Sequence, residues 1–357
     1  MVTNYKEILN KLDNLSPIEY AKNRNFVDGS VSMLSPYISR GVISTRQVLE
    51  HLINQGFEGN KIEKFIQELA WRDYWQLIWI EKDINFNIKN KQTDVNQNEI
   101  SKSIIKAKTG IEAIDKAILD LYKTGYMHNH LRMYVASIST NIAKNHWKSP
   151  AKWMYYHLLD GDWASNALSW QWVCGANSNK KYIANQENIN KYTYSKQKNT
   201  FLDCSYEDIM KIEQPSHFKS ISEEILYTEL PKSDKISIDN SKPICVYNYY
   251  NLDPVWRTDI AANRILLIEP SVFKKYPIAE KAMNFMISLS KNISSIKVFV
   301  GEFDELIKKD SIVYFKEHPL NYNYKGNEDS RDWISSVKGY YPSFFGFWNK
   351  VKKEISF

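Results

Sequence analysis

The sequence predicts a multi-domain protein of α and α/β class: an all-helical region over 1–195, a linker over 196–242, and a small α/β domain over 243–357 that ends in an aromatic tail. Three observations lead there. Apolar residues recur at three- and four-residue spacing through the first half of the chain. The stretch around 195–240 then turns polar, with SKQKN, SEE and PKSDKISIDNSK. Beyond it, short β-type runs alternate with helical spacing, the pattern of a parallel α/β layer. At 357 residues the chain suits two or three domains, because single cores stop growing near roughly 250–300 residues.

The helical spacing covers Leu49–Ile53, Ile62–Ile80, Ile111–Tyr122, Arg132–Ala143 and Trp153–Leu159, punctuated by Gly29, Pro36, Gly110, Gly125, Pro150 and Gly161. The polar linker carries some short helix. Strands are expected at Pro243–Tyr250, Arg264–Ile268, Lys297–Val300 and Ser311–Phe315, with a helix over Ile278–Leu289. The tail GYYPSFFGFW is expected to pack back onto a domain.

Composition narrows the class. With 43% hydrophobic and 25% charged residues and a formal charge of +6, the chain is an ordinary globular one, not a disordered one. Cys174, Cys204 and Cys245 are odd in number and far apart, which excludes a disulfide framework and gives no zinc or iron–sulfur spacing. The start lacks a signal-peptide core and no 18-residue apolar run exists, so a cytoplasmic, membrane-free monomer is expected. The unusual figure is aromatic content, 14%, with eight of the 11 Trp between Trp71 and Trp172. Such clustering suits stacking on planar ligands or electron transfer between rings, as well as packing.

Four blocks carry candidate chemistry. In FIQELAWRDYW, helical spacing sets Glu68, Trp71, Arg72, Trp75 and Trp79 on one stripe. An acid beside indole plates suits a planar heterocycle, which stacks while the acid addresses its polar edge. In MHNHLRM, Asn129, Arg132, Met133 and Ala136 share a helical face. In LLDGDWASNALSWQW, Asp160 and Asp162 flank Gly161, and Asn166 and Trp170 follow at four-residue steps. Two acids could hold a metal, but no His or third carboxylate is near in sequence, so no metal is expected. One acid is better used pairing Arg132 and the other binding a hydroxyl or ring N–H. Near the start, Tyr20 and Arg24 precede a Ser-rich turn, Ser30 to Ser35, of the type that cradles phosphate or simply caps a helix.

Taken in order, these blocks resemble the FAD-binding domain of the DNA photolyase/cryptochrome family. The resemblance runs from about Tyr20 to Tyr192 through YAKNRNF, SVSMLSPYISRGVIS, ELAWRDYW, KTGIEAIDKAILDLYKTGYMHNHLRM, LLDGDWASN and LSWQWVCGANSNKKYIANQENINKY. It implies an all-helical photolyase-like FAD-binding domain, with FAD as cofactor. Tyr20, Arg24, Ser32, Leu34, Ser35, Phe65, Arg72, Arg132, Asp160, Asp162 and Asn166 would be the cofactor residues, with Asp160 paired to Arg132 and Asn166 near the flavin N5. Glu68 would hydrogen-bond a damaged pyrimidine, Trp71 and Trp172 would wall it, and Asn129 and Met133 match enzymes for cyclobutane dimers. The implied activity is light-dependent repair of DNA, splitting pyrimidine dimers by electron transfer from photoexcited FADH⁻. A cryptochrome-like blue-light receptor and a photolyase for the (6-4) lesion are the alternatives, the latter because His128 and His130 are adjacent.

Three departures qualify the resemblance. Val31 stands where the family usually has Thr. Trp170 and Trp147 match the first two members of the family's electron-transfer triad, but Ile104 stands at the third, leaving Trp153, Trp163 or Tyr155 as another exit. The α/β segment follows the helical domain instead of preceding it, a rearranged order. For damaged DNA as partner, Lys144, Lys148 and Lys152 lie four apart and Lys180 and Lys181 follow, which fits a basic rim contacting phosphates.

Overall fold

The computed structural model describes residues 1–222, 225–307 and 311–355. Residues 223 and 224 of the expected linker lie outside them. The chain forms two compact units: 1–21, 32–81 and 227–357 make the first, and 22–31 and 82–226 the second. This division differs from the expected breaks near 195 and 243, because the early helices join the unit that holds the sheet. The reason lies in the Gly59–Glu81 helix, where seven consecutive residues, Asp73 to Trp79, are buried. A helix buried all round needs partners on every side. Trp79 finds them in edge contacts with Tyr250, Tyr276 and His318 at 6.1, 5.9 and 5.1 Å.

The sheet of the first unit has five parallel strands: β1 (Ile244–Tyr247), β2 (Asn263–Ile268), β3 (Lys297–Val300), β4 (Val313–Lys316) and β5 (Asn327–Asp329), in spatial order β3-β2-β1-β4-β5. Ile244 stands opposite Asn263 on one side and Val313 on the other. All four β1 residues are buried, so β1 has the continuous apolar run of a strand covered on both faces. Ile244, Val246, Ile265, Leu267, Phe303 and Phe315 form the core on one face. The Glu280–Ser290 helix links β2 to β3. The first strand is shorter than its apolar run predicts, since the chain turns at Asn248–Asn251. β5 is not among the expected strands: Asn-Glu-Asp has no apolar signal. The tail forms the Phe344–Glu354 helix, which packs on the Gly59–Glu81 helix.

The second unit is helical. Glu112–Thr124 ends at Gly125 in the left-handed region, φ +72°, where a Cβ would meet Leu159 at 2.6 Å. Asn129–Ser137 runs on into one π-helical turn, Ile138–Ile142, followed by Lys148–His157, Trp163–Val173 and Gln186–Thr193. Gln171, fully buried, ties down the 84–88 segment by donating to the Ile84 and Phe86 carbonyls and accepting from the Ile88 N–H. Among the described residues no helix is long and apolar enough to cross a membrane.

Candidate functional site

In the second unit the Asn129–Ser137 helix is capped by His128, whose Nδ1 accepts from the His130 N–H. One turn in, Arg132 donates through Nε to the Met127 carbonyl at 2.7 Å and through Nη2 to both Asp160 oxygens at 3.0 and 2.9 Å. The Asp160 side chain is 3% exposed, so this is a buried ion pair. Gly161 is required beside it, since a Cβ there would lie 2.9 Å from the Tyr155 carbonyl. Asp162 then caps the Trp163–Val173 helix, accepting from the Ser165 N–H at 2.7 Å. Asn166 donates to the Ala151 carbonyl at 2.7 Å. Ser165 Oγ is buried with no hydrogen-bond partner among the described residues.

Around these groups the exposed side chains stand out. Asn129 is exposed and Met133, one turn on, half-buried. Trp172 is 38% exposed, whereas Trp147, Trp153, Trp163 and Trp170 lie between 0 and 2%. Burial, with His128 and Arg24 nearby, pushes His130 down to about 4; burial and Arg132 push His128 down as well. The His130 imidazole is therefore neutral near pH 7. Trp147 is 6.5 Å from Trp163, and Trp163 is 5.6 Å from Tyr155, ring centre to ring centre. Trp153 instead hydrogen-bonds the Tyr122 hydroxyl. Ile104 is buried at 1%.

The lysine rim needs correction. Lys144 precedes the helix in a left-handed turn, φ +54°, so it does not share a helical face with Lys148 and Lys152. Lys181 pairs with Asp94 at 2.6 Å and is itself 15% exposed. Lys180 is exposed.

The first unit holds the remaining candidates. Tyr20 meets Phe65 edge-on at 5.0 Å. The Leu34 N–H donates to Ser32 Oγ at 3.4 Å across Met33, which sits at φ +53°. Ser35 opens the short Ser35–Ser39 helix, and Arg72 donates to Ser39 Oγ at 2.9 Å. Glu68 lies 3.5 Å from Lys64. Trp75 and Trp79 are buried core side chains and not part of an open stripe. Trp71 is not an open wall either: Phe344 stacks on it with ring centres 3.7 Å apart and planes 9° from parallel. Spacing within the helix gives no hint of Phe344 as a partner, although the aromatic tail is an available signal. Nor does spacing reveal a small polar cavity of about 60 Å³ lined by Asp73, Asn251, Asp253, Lys316, His318 and Arg331. It lies at the carboxyl ends of β1 and β4, where the strand order reverses.

Comparison with known proteins follows this geometry. The family model for the FAD binding domain of DNA photolyase matches residues 65–201. The deoxyribodipyrimidine photo-lyase of Vibrio cholerae is 34% identical over 164 residues, 43% of this chain and 35% of that protein. The one from Alkalihalophilus pseudofirmus is 31% identical over 162 residues, 43% and 33% of the two chains. Cryptochrome-1 of Sinapis alba is 28% identical over 190 residues, 49% and 38%. The chain thus spans about a third of the length of these relatives. A solved class III photolyase from Agrobacterium tumefaciens gives a TM-score of 0.40 at 28% identity, covering 48% of this chain and 38% of that one.

FAD is the cofactor of this domain. The residues present fit it. The second unit offers a buried guanidinium–carboxylate pair, the Asn166 side chain and the orphaned Ser165 hydroxyl, all beside one helix start. Taken by itself, the first unit places the Ser32 and Ser35 hydroxyls on either side of Met33 at φ +53°, donors of the type that suits phosphate oxygens.

Proposed function

We propose, from the premise that this chain belongs to the DNA photolyase/cryptochrome family, that it repairs cyclobutane pyrimidine dimers in DNA under blue light. The observation that carries this reading is the contrast among the indoles of the second unit: four are sealed in the core, whereas Trp172 is 38% exposed, with Tyr182 tilted beside it at 5.8 Å. An exposed indole is a stacking platform for a base.

Bound and reduced, FAD supplies a photoexcited electron donor. The chain's own residues do the rest. Tyr20, Arg24, Ser32, Leu34, Ser35, Phe65, Arg72, Arg132, Asp160, Asp162 and Asn166 are the residues that the family resemblance assigns to the cofactor. The Arg132–Asp160 pair would fix its orientation and leave no net charge to be desolvated. Trp172 would stack on the flipped lesion, Glu68 would accept from its polar edge, and Asn129 and Met133 would line it. A damaged base pair is already poorly stacked, so flipping it costs less, which favours the lesion over intact DNA. Trp170 and Trp147 would relay electrons, with Trp163 and Tyr155 continuing from Trp147 in place of the absent third Trp.

The test is to incubate the reduced holoprotein with a thymine-dimer oligonucleotide in blue light and in darkness and follow dimer loss by chromatography. Light-dependent loss is expected. No loss with FAD bound and reduced would overturn the reading in favour of a (6-4) substrate or a light receptor. The receptor reading has its own support in Trp71, whose face is covered by Phe344.

A further inference from the structure

We infer that Phe344 acts as an internal stand-in for a base on Trp71, and that a planar nucleobase must displace it to stack there; the inference rests on the repair reading. The two rings lie 3.7 Å apart and 9° from parallel. Aromatic side-chain pairs usually lie with ring centres about 4.5–7 Å apart, so this stack is unusually close. The contact has the spacing at which a base stacks on an indole.

The helix that delivers Phe344 is capped at its start, where Ser343 Oγ accepts from the Gly346 N–H at 3.2 Å and Phe344 is 3% exposed, and its later turns are docked more extensively. Phe347, Trp348 and Val351 are buried at 1, 2 and 0%. Tyr74 donates to the Tyr341 carbonyl, and Glu63 binds Lys352 at 2.8 Å. The first turn is different. It reads Phe344-Phe345-Gly346, with Phe345 61% exposed and a glycine inside the helix, where it is a poor helix former. Ahead of it, residues 338–342 have no regular structure. Unwinding that turn withdraws Phe344 while Phe347, Trp348 and Val351 stay docked. The apparent affinity for a stacking base is then the intrinsic affinity reduced by the fraction of molecules in which Phe344 is withdrawn.

Two variants test this from opposite sides. Phe344→Ala removes the competitor. Gly346→Ala favours the helical turn without opening a cavity; the added Cβ meets Tyr341 Cδ1 at 3.9 Å and Ser343 Oγ, the capping acceptor, at 3.3 Å, so the cap must shift by a few tenths of an ångström to admit it. Binding of a thymine-dimer oligonucleotide to the holoprotein is measured by fluorescence anisotropy in the dark, with the undamaged oligonucleotide alongside. Phe344→Ala should bind the dimer about three- to tenfold more tightly, and Gly346→Ala about threefold more weakly. Folded variants that both keep wild-type affinity while still preferring the dimer would overturn this inference alone. If Phe344→Ala does not fold, unchanged affinity in Gly346→Ala does so by itself. No preference for the dimer in the wild type or either variant would overturn the repair reading and this inference with it.

Discussion

Trp71 and Trp172 are assigned the same task by sequence, and the two units treat them in opposite ways. Trp172 sits near a helix end with 38% of its surface open. Trp71 has Phe344 flat on one face and Trp75 4.8 Å away. The two neighbourhoods of the motif are equally informative about residue type and unequally informative about availability. Whether a side chain is open or committed depends on what the rest of the chain lays over it. The same division runs through the charged groups, and each can be tested by breaking a committed member beside an open one.

The largest effect is expected at the Arg132–Asp160 pair. Arg132→Ala leaves a carboxylate that is 3% exposed without its guanidinium. Removing one partner of a buried pair costs about 3–5 kcal/mol. Lys116–Asp120 is the open counterpart, with side chains 78% and 49% exposed. Lys116→Ala should change stability by less than about 0.5 kcal/mol. Urea unfolding of both variants decides the matter, and FAD retained per chain should fall only in the first.

Next in size are two buried titrating groups with opposite slopes, one in each unit. Asp73 accepts from Thr45 and from the Ile334 N–H, yet burial pushes its carboxyl up to about 6 from an ordinary 3.8. A raised pKa means that the folded state holds the proton more tightly. That stability is fully present below about 3.8 and is lost as pH rises through about 6. The gap is worth ~3 kcal/mol at neutral pH. Asp73→Asn should flatten that part of the stability–pH curve. His130 runs the other way: its pKa falls to about 4 from 6.5, so stability is lost as pH drops through that window. His130→Gln should remove this loss. Urea midpoints from pH 4 to 7 would separate the two, and parallel curves for wild type and Asp73→Asn would refute the first assignment.

The two indoles themselves come third. Trp172→Ala should leave the free energy of urea unfolding within about 1 kcal/mol of wild type but weaken dimer binding by about 1–3 kcal/mol, the value of one base stack. Trp71→Ala should instead lower stability by about 2 kcal/mol, because it leaves Phe344 facing a gap. If Trp71→Ala is as stable as Trp172→Ala, the Phe344 stack is not a packing contact and the comparison fails.

Much of this is legible in sequence where the cause is local. The βαβ alternation from 243 to 316 is written in short apolar runs around the Glu280–Ser290 helix, and four of the five strands follow it. The acid–Arg pairing follows from residue type and helix starts. What is illegible is set by distant chain. Phe344 reaches Trp71 from the tail, and Asp94 reaches Lys181 from 87 residues away. The Gly59–Glu81 helix buries Trp75 and Trp79 in the sheet-bearing unit, which no spacing within the helix can reveal. β5 is a polar Asn-Glu-Asp strand recruited by its backbone alone, pairing with Tyr314, Phe315 and Lys316.

The smallest effect tests the lysines. Deleting a cation that neutralises one phosphate lowers the slope of log K against log salt by about 0.9 for duplex DNA. Lys180 is exposed, whereas Lys181 holds Asp94 at 2.6 Å and is 15% exposed. Lys181 also lies close enough to Lys144 to push its ammonium pKa down, after burial, which is the larger cause. To reach a phosphate Lys181 would have to release its carboxylate, and the net gain would be small. Lys180→Ala should therefore reduce the salt slope of duplex binding by close to one, and Lys181→Ala by much less. Affinity at a single salt concentration would not separate them, because both remove a positive charge. Slopes between roughly 50 and 200 mM salt would. Equal slopes for the two variants would mean that the Asp94 pair opens on DNA, and that commitment in the free protein does not predict which side chains bind.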